Sequence, residues 1–280
     1  MRVRLAKSVI LDLSSPQVIA DGFRAWVAGE SGSGKSSAAM LLASQIVKQG
    51  GQVIVLDAHG EYERLWEMQP AAVKKLGYGN RESTVNETSV EWCIQLVRDG
   101  NSLIIDLAHW TDLEPQFLDA FVLNFIKELY KLRRERPKQT FIFVEEAHAF
   151  IPQQQESGQA QNIKVFLGMM TGGRKYGLNF VLCSQQQSLV DVRAIRGCNV
   201  RLFLRISDEG DWKKVRNYMP EKLNVGFKEG KNDITRFQSG EAVLVSRWTG
   251  DRRVQLMKPE VAPRQPLIEA MDAEDEEYTA

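Results

Sequence analysis

Seven short runs of almost unbroken apolar character recur along the chain: RAWVA (24–28), VIVLD (53–57), SLIIDL (102–107), TFIFVE (140–145), LNFVLC (178–183), VRLFLRI (200–206) and AVLVS (242–246). They do not alternate polar with apolar positions, so each reads as a strand buried on both faces of a sheet. Between them the spacing changes. Residues 115–135 open with Pro115 and place Phe117, Leu118, Phe121, Val122, Phe125, Ile126 and Leu129 three or four apart, which predicts an amphipathic helix. Residues 35–49 follow a glycine-rich loop and predict a second helix. Strand and helix alternating over this length predict an α/β fold: a mostly parallel central sheet flanked by helices, with right-handed crossovers.

Three segments break the pattern. PQQQESGQAQN (152–162) reads as a polar loop or a frayed helix start, and NVGFKEGKNDITRFQSG (224–240) as a glycine-rich surface excursion. After Pro259 the chain turns acidic, so residues 1–258 are expected to form the folded domain and 259–280 a disordered tail. The 280 residues, 43% of them hydrophobic, suit one large core. The 36 basic and 36 acidic residues cancel, but the last twelve residues hold six acids and no base. The remainder therefore carries the offsetting +6, which neither announces nor excludes a polyanion partner.

Cys93, Cys183 and Cys198 are too few and too scattered for a disulfide framework or a CxxC metal site, which fits a reduced, cytoplasmic setting. No run approaches the roughly 20 apolar residues of a membrane span. The apolar stretch in MRVRLAKSVILDL is broken by Lys7 and Asp12 and fails as a signal peptide. The basic run KLRRERPK (131–138) lies at a helix end, where cations complement the dipole, so a solvated face is the favoured reading over a nucleic-acid contact.

GESGSGKSS (29–37) satisfies G-x-x-x-x-G-K-[ST] between a strand and a helix, the context in which that spacing binds phosphate. Gly29, Gly32 and Gly34 admit backbone conformations that let successive N–H groups, Ser33's among them, turn inward around an anion. The helix N-terminus adds donors and partial positive charge. Lys35 is placed to reach the β- and γ-phosphates of ATP, and the Ser36 hydroxyl to ligate Mg²⁺; Ser37 is a weaker candidate for an α-phosphate contact. Hydrolysis also needs one carboxylate for the hydrated metal and one to orient the attacking water. TFIFVEEAH supplies both, and we assign Glu145 to the metal and Glu146 to the water, with Asp106 left as a structural strand-end residue. Gln185, after LNFVLC, is either a sensor of the γ-phosphate and attacking water or a plain loop amide.

Taken together, GESGSGKS (29–36), DAHGEY (57–62), IIDL (104–107), FVEEAH (143–148), GRKYGLNFVLCSQ (173–185) and LRISDEGD (204–211) resemble the HerA/FtsK branch of RecA-like P-loop ATPases, HerA most closely. The resemblance spans roughly residues 20–257 and is weakest between 63 and 100. It implies a hexameric ring that hydrolyses ATP between subunits and moves double-stranded DNA through its centre. It also implies that Arg174 is a trans finger on the γ-phosphate held by the neighbouring subunit, a role chemically suited to a guanidinium. Asp57 then belongs to the metal shell, and His59 and Glu61 either position nucleotide or couple it to the interface, with a structural turn the alternative for His59. A zinc site formed by His59 with His109 or His148 lacks the spacing for it.

Three departures from the HerA pattern stand out. Glu145 occupies a position where HerA proteins usually carry Asp, the end of the sensor strand reads SQQQ, and the residues before the core are too few for the usual N-terminal β-barrel. This reduced form is also similar to the packaging ATPases of membrane-containing icosahedral viruses. Candidate DNA contacts are the loop 152–162, Lys164, Arg193 and Arg196, and Arg205 and Arg216 either reach a neighbouring nucleotide or pair with nearby acids. Three functions compete: a DNA translocase or helicase motor working with a nuclease partner, a genome-packaging ATPase with a capsid partner, and a non-motor P-loop switch or kinase.

Overall fold

A computed structural model describes residues 1–77, 89–108, 115–154, 160–230 and 232–260. Its strands are β1 (Arg2–Ala6), β2 (Val9–Asp12), β3 (Arg24–Ala28), β4 (Gln52–Asp57), β5 (Val73–Gly77), β6 (Ser102–Asp106), β7 (Thr140–Val144), β8 (Leu178–Ser184), β9 (Val200–Phe203), β10 (Glu241–Ser246) and β11 (Arg252–Gln255). Nine of them form one sheet in the order β11-β10-β9-β3-β8-β7-β4-β6-β5. The pairings from β9 through to β5 are all parallel, while β10 runs antiparallel to both β9 and β11. The expected α/β architecture, a mostly parallel sheet flanked by helices, is the one observed.

The apolar runs are buried on both faces because successive side chains enter different cores. Val27, Val53, Val55, Phe141, Phe143 and Val181 face the helix Lys35–Lys48 and the N-terminal hairpin. Trp26, Ile54, Leu56, Ile142, Val144, Phe180 and Leu182 face the helices at 89–98, 115–135 and 160–172. In the helix Pro115–Glu135, Phe121, Val122, Phe125, Ile126 and Leu129 are all buried, as the spacing requires.

Four strands lack an apolar signature, and each lies outside the sheet's interior. β5 (VKKLG) and β11 (RRVQ) are the two edges of the large sheet, and β1 and β2 form a separate antiparallel hairpin. Edge strands carry charge because one side meets water and must resist further pairing. The hairpin is held by two glutamines one turn apart, Gln45 in the helix Lys35–Lys48 and Gln49 at its C-cap. Gln45 accepts from Arg4 N–H at 2.9 Å and donates to Arg4 C=O at 3.0 Å, and Gln49 does the same for Arg2, at 2.8 Å both ways. Two side-chain amides thus stand in for the backbone of a missing neighbouring strand.

The structure departs from the sequence expectations at two places. Arg133, within the basic run 131–138, is 2% exposed and lies under the sheet, where Nε donates to Thr140 Oγ1 at 2.8 Å and Nη2 donates to Gln52 Oε1. One member of that run is therefore a core cation, whereas Lys131 is exposed and pairs with Glu128. The glycine-rich stretch 224–240 is also no simple excursion, because Ile234 and Phe237 are buried in the main core and a 3₁₀ turn, Ile234–Arg236, is capped by Asp233. Glu260, at the start of the tail, is ion-paired with Lys48, while residues 261–280 and the centre of the polar loop, 155–159, lie outside the described residues.

Candidate functional site

In the sheet β8 separates β3 from β7, and the register aligns the carboxyl ends of all three. Ala28 stands opposite Ser184, and Val144 opposite Leu182. The segments that follow, Gly29–Ser37, Glu145–His148 and Gln185–Leu189, therefore gather on one edge, where ligands collect in open α/β sheets.

The loop 29–34 is preformed. Gly34 has φ +99°, and a Cβ there would stand 3.1 Å from Gly240 N, so only glycine combines that conformation with that approach. Ser33 is fully buried and its hydroxyl donates to Glu30 C=O at 2.7 Å. Lys35 is buried, with Nζ donating to the same carbonyl at 3.0 Å, so the ammonium already lies over the loop. Ser36 and Ser37 occupy the first turn of the helix that starts at Lys35, both partly exposed. Glu30 is ion-paired with Arg205, whose Nη1 donates to Phe237 C=O at 3.4 Å. Arg205 thus braces its own loop. A cavity of about 470 Å³ adjoins this loop, lined by Glu30, Gln185, Ser188, Ser207, Asp208 and Asp211 among others.

The tandem glutamates part company. Glu145 points inward: it is 4% exposed and accepts a hydrogen bond from the fully buried Tyr62 hydroxyl. Burial raises its carboxyl to about 7, against the opposing effect of the Tyr62 hydrogen bond. Glu146 adopts the left-handed conformation at φ 45°, which turns its side chain back toward β8. Its Oε2 accepts from the Gln185 N–H at 3.2 Å and lies 3.2 Å from His148 Nδ1, while Oε1 lies 3.7 Å from His59 Nε2. Burial opposes its ionisation, but the contacts to His148, His59 and the Gln185 N–H outweigh that and hold the carboxyl far below the usual range. His59 is correspondingly raised by its contact with Glu146.

Asp57 is fully buried, and its two oxygens accept the N–H groups of His59, Gly60, Glu61 and Tyr62 at 2.9–3.3 Å. Burial lifts its carboxyl to about 6. The DAHGEY segment is thus a turn built on Asp57 that delivers Tyr62 to Glu145 and His59 to Glu146. Asp106, at the end of β6, caps Ala108 N–H at 3.2 Å and stands 3.8 Å from Lys75 Nζ.

Arg174 is elsewhere. It lies in the 3₁₀ turn Gly173–Tyr176 immediately before β8, so β8 itself separates it from Gln185. Seven extended residues at roughly 3.3 Å each place the two about 20 Å apart. The side chain is exposed, and no hydrogen bond or ion pair to it is found among the described residues. Of the basic residues proposed for DNA, Lys164 and Arg196 are exposed, and Arg193 is paired with Asp191 at 2.7 Å. The start of the polar loop is joined to the segment after β8 by a Pro152–Val190 bridge and by Gln153 N–H to Leu189 C=O at 2.6 Å.

Tyr62, His148 and Ser184 are site residues that motif spacing did not single out. All three sit inside the quoted motifs DAHGEY, FVEEAH and GRKYGLNFVLCSQ, and that position was the available signal. Among the described residues no group of three or more His, Cys, Asp or Glu side chains is arranged to hold a metal ion by itself. Ser36 and Glu145 supply hard oxygen donors suited to Mg²⁺, a metal that ordinarily takes most of its ligands from phosphate and water.

The sheet order and the loop at its carboxyl edge define a RecA-like P-loop NTPase fold. Within that class the chain resembles the HerA/FtsK branch: residues 26–109 match the family described as "Helicase HerA, central domain". Over 124 residues, 44% of the chain, it is 29% identical to a protein of Methanocaldococcus jannaschii named probable DNA double-strand break repair helicase HerA. That match covers 22% of the relative's length, so the chain aligns with about a fifth of it. VirB4 of Thermoanaerobacter pseudethanolicus superposes with a TM-score of 0.64 at 14% identity, covering 96% of this chain and 98% of that one. The genome packaging NTPase B204 of Sulfolobus turreted icosahedral virus 2, solved with AMP, superposes with a TM-score of 0.59 at 10% identity, covering 85% and 98%. Among the described residues no helix is long and apolar enough to cross a membrane.

Proposed function

We propose that the protein is an ATP-driven motor on double-stranded DNA, a translocase or helicase of HerA type whose ATP is hydrolysed between subunits of a ring. The observation that carries this reading is the placement of Gln185 and Arg174 at opposite ends of β8. Gln185 lies beside the protein's own phosphate loop, whereas Arg174 is exposed about 20 Å away and has no route to it. An arginine so placed completes a phosphoryl-transfer site only by meeting the loop of another copy. A ring of copies repeats that contact around its circumference.

Each residue then has a task. The N–H groups of the loop 29–34 and the helix N-terminus cradle the phosphates, and Lys35 moves from Glu30 C=O to the β- and γ-phosphates. Ser36 and Glu145 would hold Mg²⁺, which would supply positive charge against that developing on the phosphates. Glu146 orients the attacking water, Gln185 reads the γ-phosphate, and the partner's guanidinium arrives last. Ser37 adds an α-phosphate contact. The polar segment 152–162, whose Pro152 and Gln153 are tied to the chain after β8, is the DNA contact this reading assigns, together with Lys164 and Arg196.

Virion packaging is the second reading. It is favoured by the likeness to the viral NTPase and uses the same motor with a capsid in place of a nuclease. The common core is tested by ATP turnover with and without linear duplex DNA. DNA should stimulate turnover severalfold, and Lys35→Ala and Glu146→Gln should abolish it. Turnover indifferent to DNA in an assembled sample counts against a DNA motor and for a P-loop switch or kinase.

A further inference from the structure

The Glu146 carboxylate reaches the end of β8 by a route that no motif assigns. His148 Nδ1 lies 3.2 Å from Glu146 Oε2 and equally 3.2 Å from Ser184 Oγ. The Ser184 hydroxyl donates its proton to Gln186 C=O at 3.2 Å, so it faces His148 as an acceptor. Both neighbours of Nδ1 are then acceptors, which requires the proton to reside on Nδ1 and to be shared between them. The Gln185 N–H adds a second donor to the same Oε2 at 3.2 Å. Backbone geometry explains why two donors are needed. Glu146 is the left-handed residue between β7 and the one-turn helix Ala147–Phe150, and its remaining freedom is in its side-chain torsions.

We propose that His148 is a positioning residue: a Ser184–His148–Glu146 chain locks the water-orienting carboxylate to the end of β8, so its aim follows the Ser184–Gln187 segment. The inference rests on the reading of Glu146 as the group that orients water. Its physical content is directional. With Oε2 occupied by the His148 and Gln185 N–H donors, Oε1, which faces His59 Nε2 at 3.7 Å, is the oxygen left to take a water, and the carboxylate plane is fixed before nucleotide arrives. The segment that sets this aim also carries Gln185, and it is hydrogen-bonded through Leu189 and Val190 to the start of the polar loop. Events at that loop therefore reach the carboxylate through a short covalent and hydrogen-bonded path.

The test uses side-chain geometry. An asparagine amide nitrogen lies about where His Nδ1 stands, and a glutamine amide nitrogen about where Nε2 stands. His148→Asn should keep kcat within about threefold of the parent, whereas His148→Gln and His148→Ala should each lose about 10- to 100-fold, as removal of an orienting partner typically does. KM for ATP and affinity for a fluorescent ADP should stay within about twofold in all three, because the phosphate loop is untouched. Asparagine and glutamine variants with equal kcat overturn the proposal, and so does a loss of kcat that tracks a loss of ADP affinity or thermal stability, which marks a packing role. Failure of the underlying reading looks different: Glu146→Gln would retain turnover, whatever the histidine variants do.

Discussion

The hydroxyl of Tyr62 hydrogen-bonds Glu145, joining the DAHGEY turn on β4 to the acidic end of β7 inside the core. The partnership gives the nucleotide-free protein a definite response to pH. Burial holds Glu145 near 7 and Asp57 near 6, both above their unfolded values, so the folded state binds more protons than the unfolded chain between about pH 4 and 7. Stability from these groups is present at low pH and is lost as pH rises through 6 and 7. Glu146 has the opposite sign, since its depressed carboxyl contributes above the unfolded value and loses that contribution as pH falls.

Glu145→Gln should therefore flatten the fall in thermal stability between pH 5 and 7.5, with a gain at pH 7.5 of at most about 3 kcal/mol. Unfolding curves of the two proteins in chelator at both pH values measure it. An unchanged slope would mean that Glu145 is ionised in the fold.

Arg133 makes a separate prediction, because its guanidinium is buried and donates to two neutral partners, Gln52 and Thr140. Burial lowers it to about 10, so it stays charged at neutral pH. Arg133→Ala should cost on the order of 3 kcal/mol by leaving Gln52 and Thr140 without their partner and a cavity beside them. DNA affinity of whatever remains folded should be unaffected. A surface DNA contact would give the reverse: weaker DNA binding at unchanged stability.

Gly177 sets where Arg174 sits. It closes the 3₁₀ turn with φ +84°, and a Cβ there would lie 2.5 Å from Lys138 C=O. Gly177→Ala must strain or shift the turn, at a cost of about 1–3 kcal/mol. It should lower ATP turnover while leaving ADP affinity unchanged, because the protein's own phosphate loop lies at the far end of β8. Equilibrium ADP titration and turnover on one preparation separate the two effects.

The sequence made the sheet interior readable because strands buried on both faces must be apolar throughout, and all seven such runs became strands. It concealed β5, β11 and the hairpin for the complementary reason: edge strands tolerate lysine and arginine, and RRVQ looks like a loop until β10 lies beside it. The phosphate loop was legible because backbone geometry demands glycine at particular positions, Gly34 above all. The interior of the site was not. Nothing in the spacing of DAHGEY says that Asp57 is consumed by four backbone N–H groups, or that Tyr62 crosses to Glu145 83 residues away. Equally, the basic look of KLRRERPK hid Arg133, because burial of a single guanidinium leaves no periodic signature among charged neighbours.

The central claim is that Arg174 completes the site of a neighbouring copy, and mixing two inactive variants tests it most directly. Arg174→Ala retains Glu146 but has no finger to offer, while Glu146→Gln retains the finger but cannot orient water, so each should be inactive alone. Mixed and reassembled in equal amounts, they should recover a substantial fraction of parental turnover, because some interfaces will pair an intact Glu146 with an intact Arg174. No recovery in a mixture shown by size to be co-assembled would contradict the account and return Arg174 to a structural role.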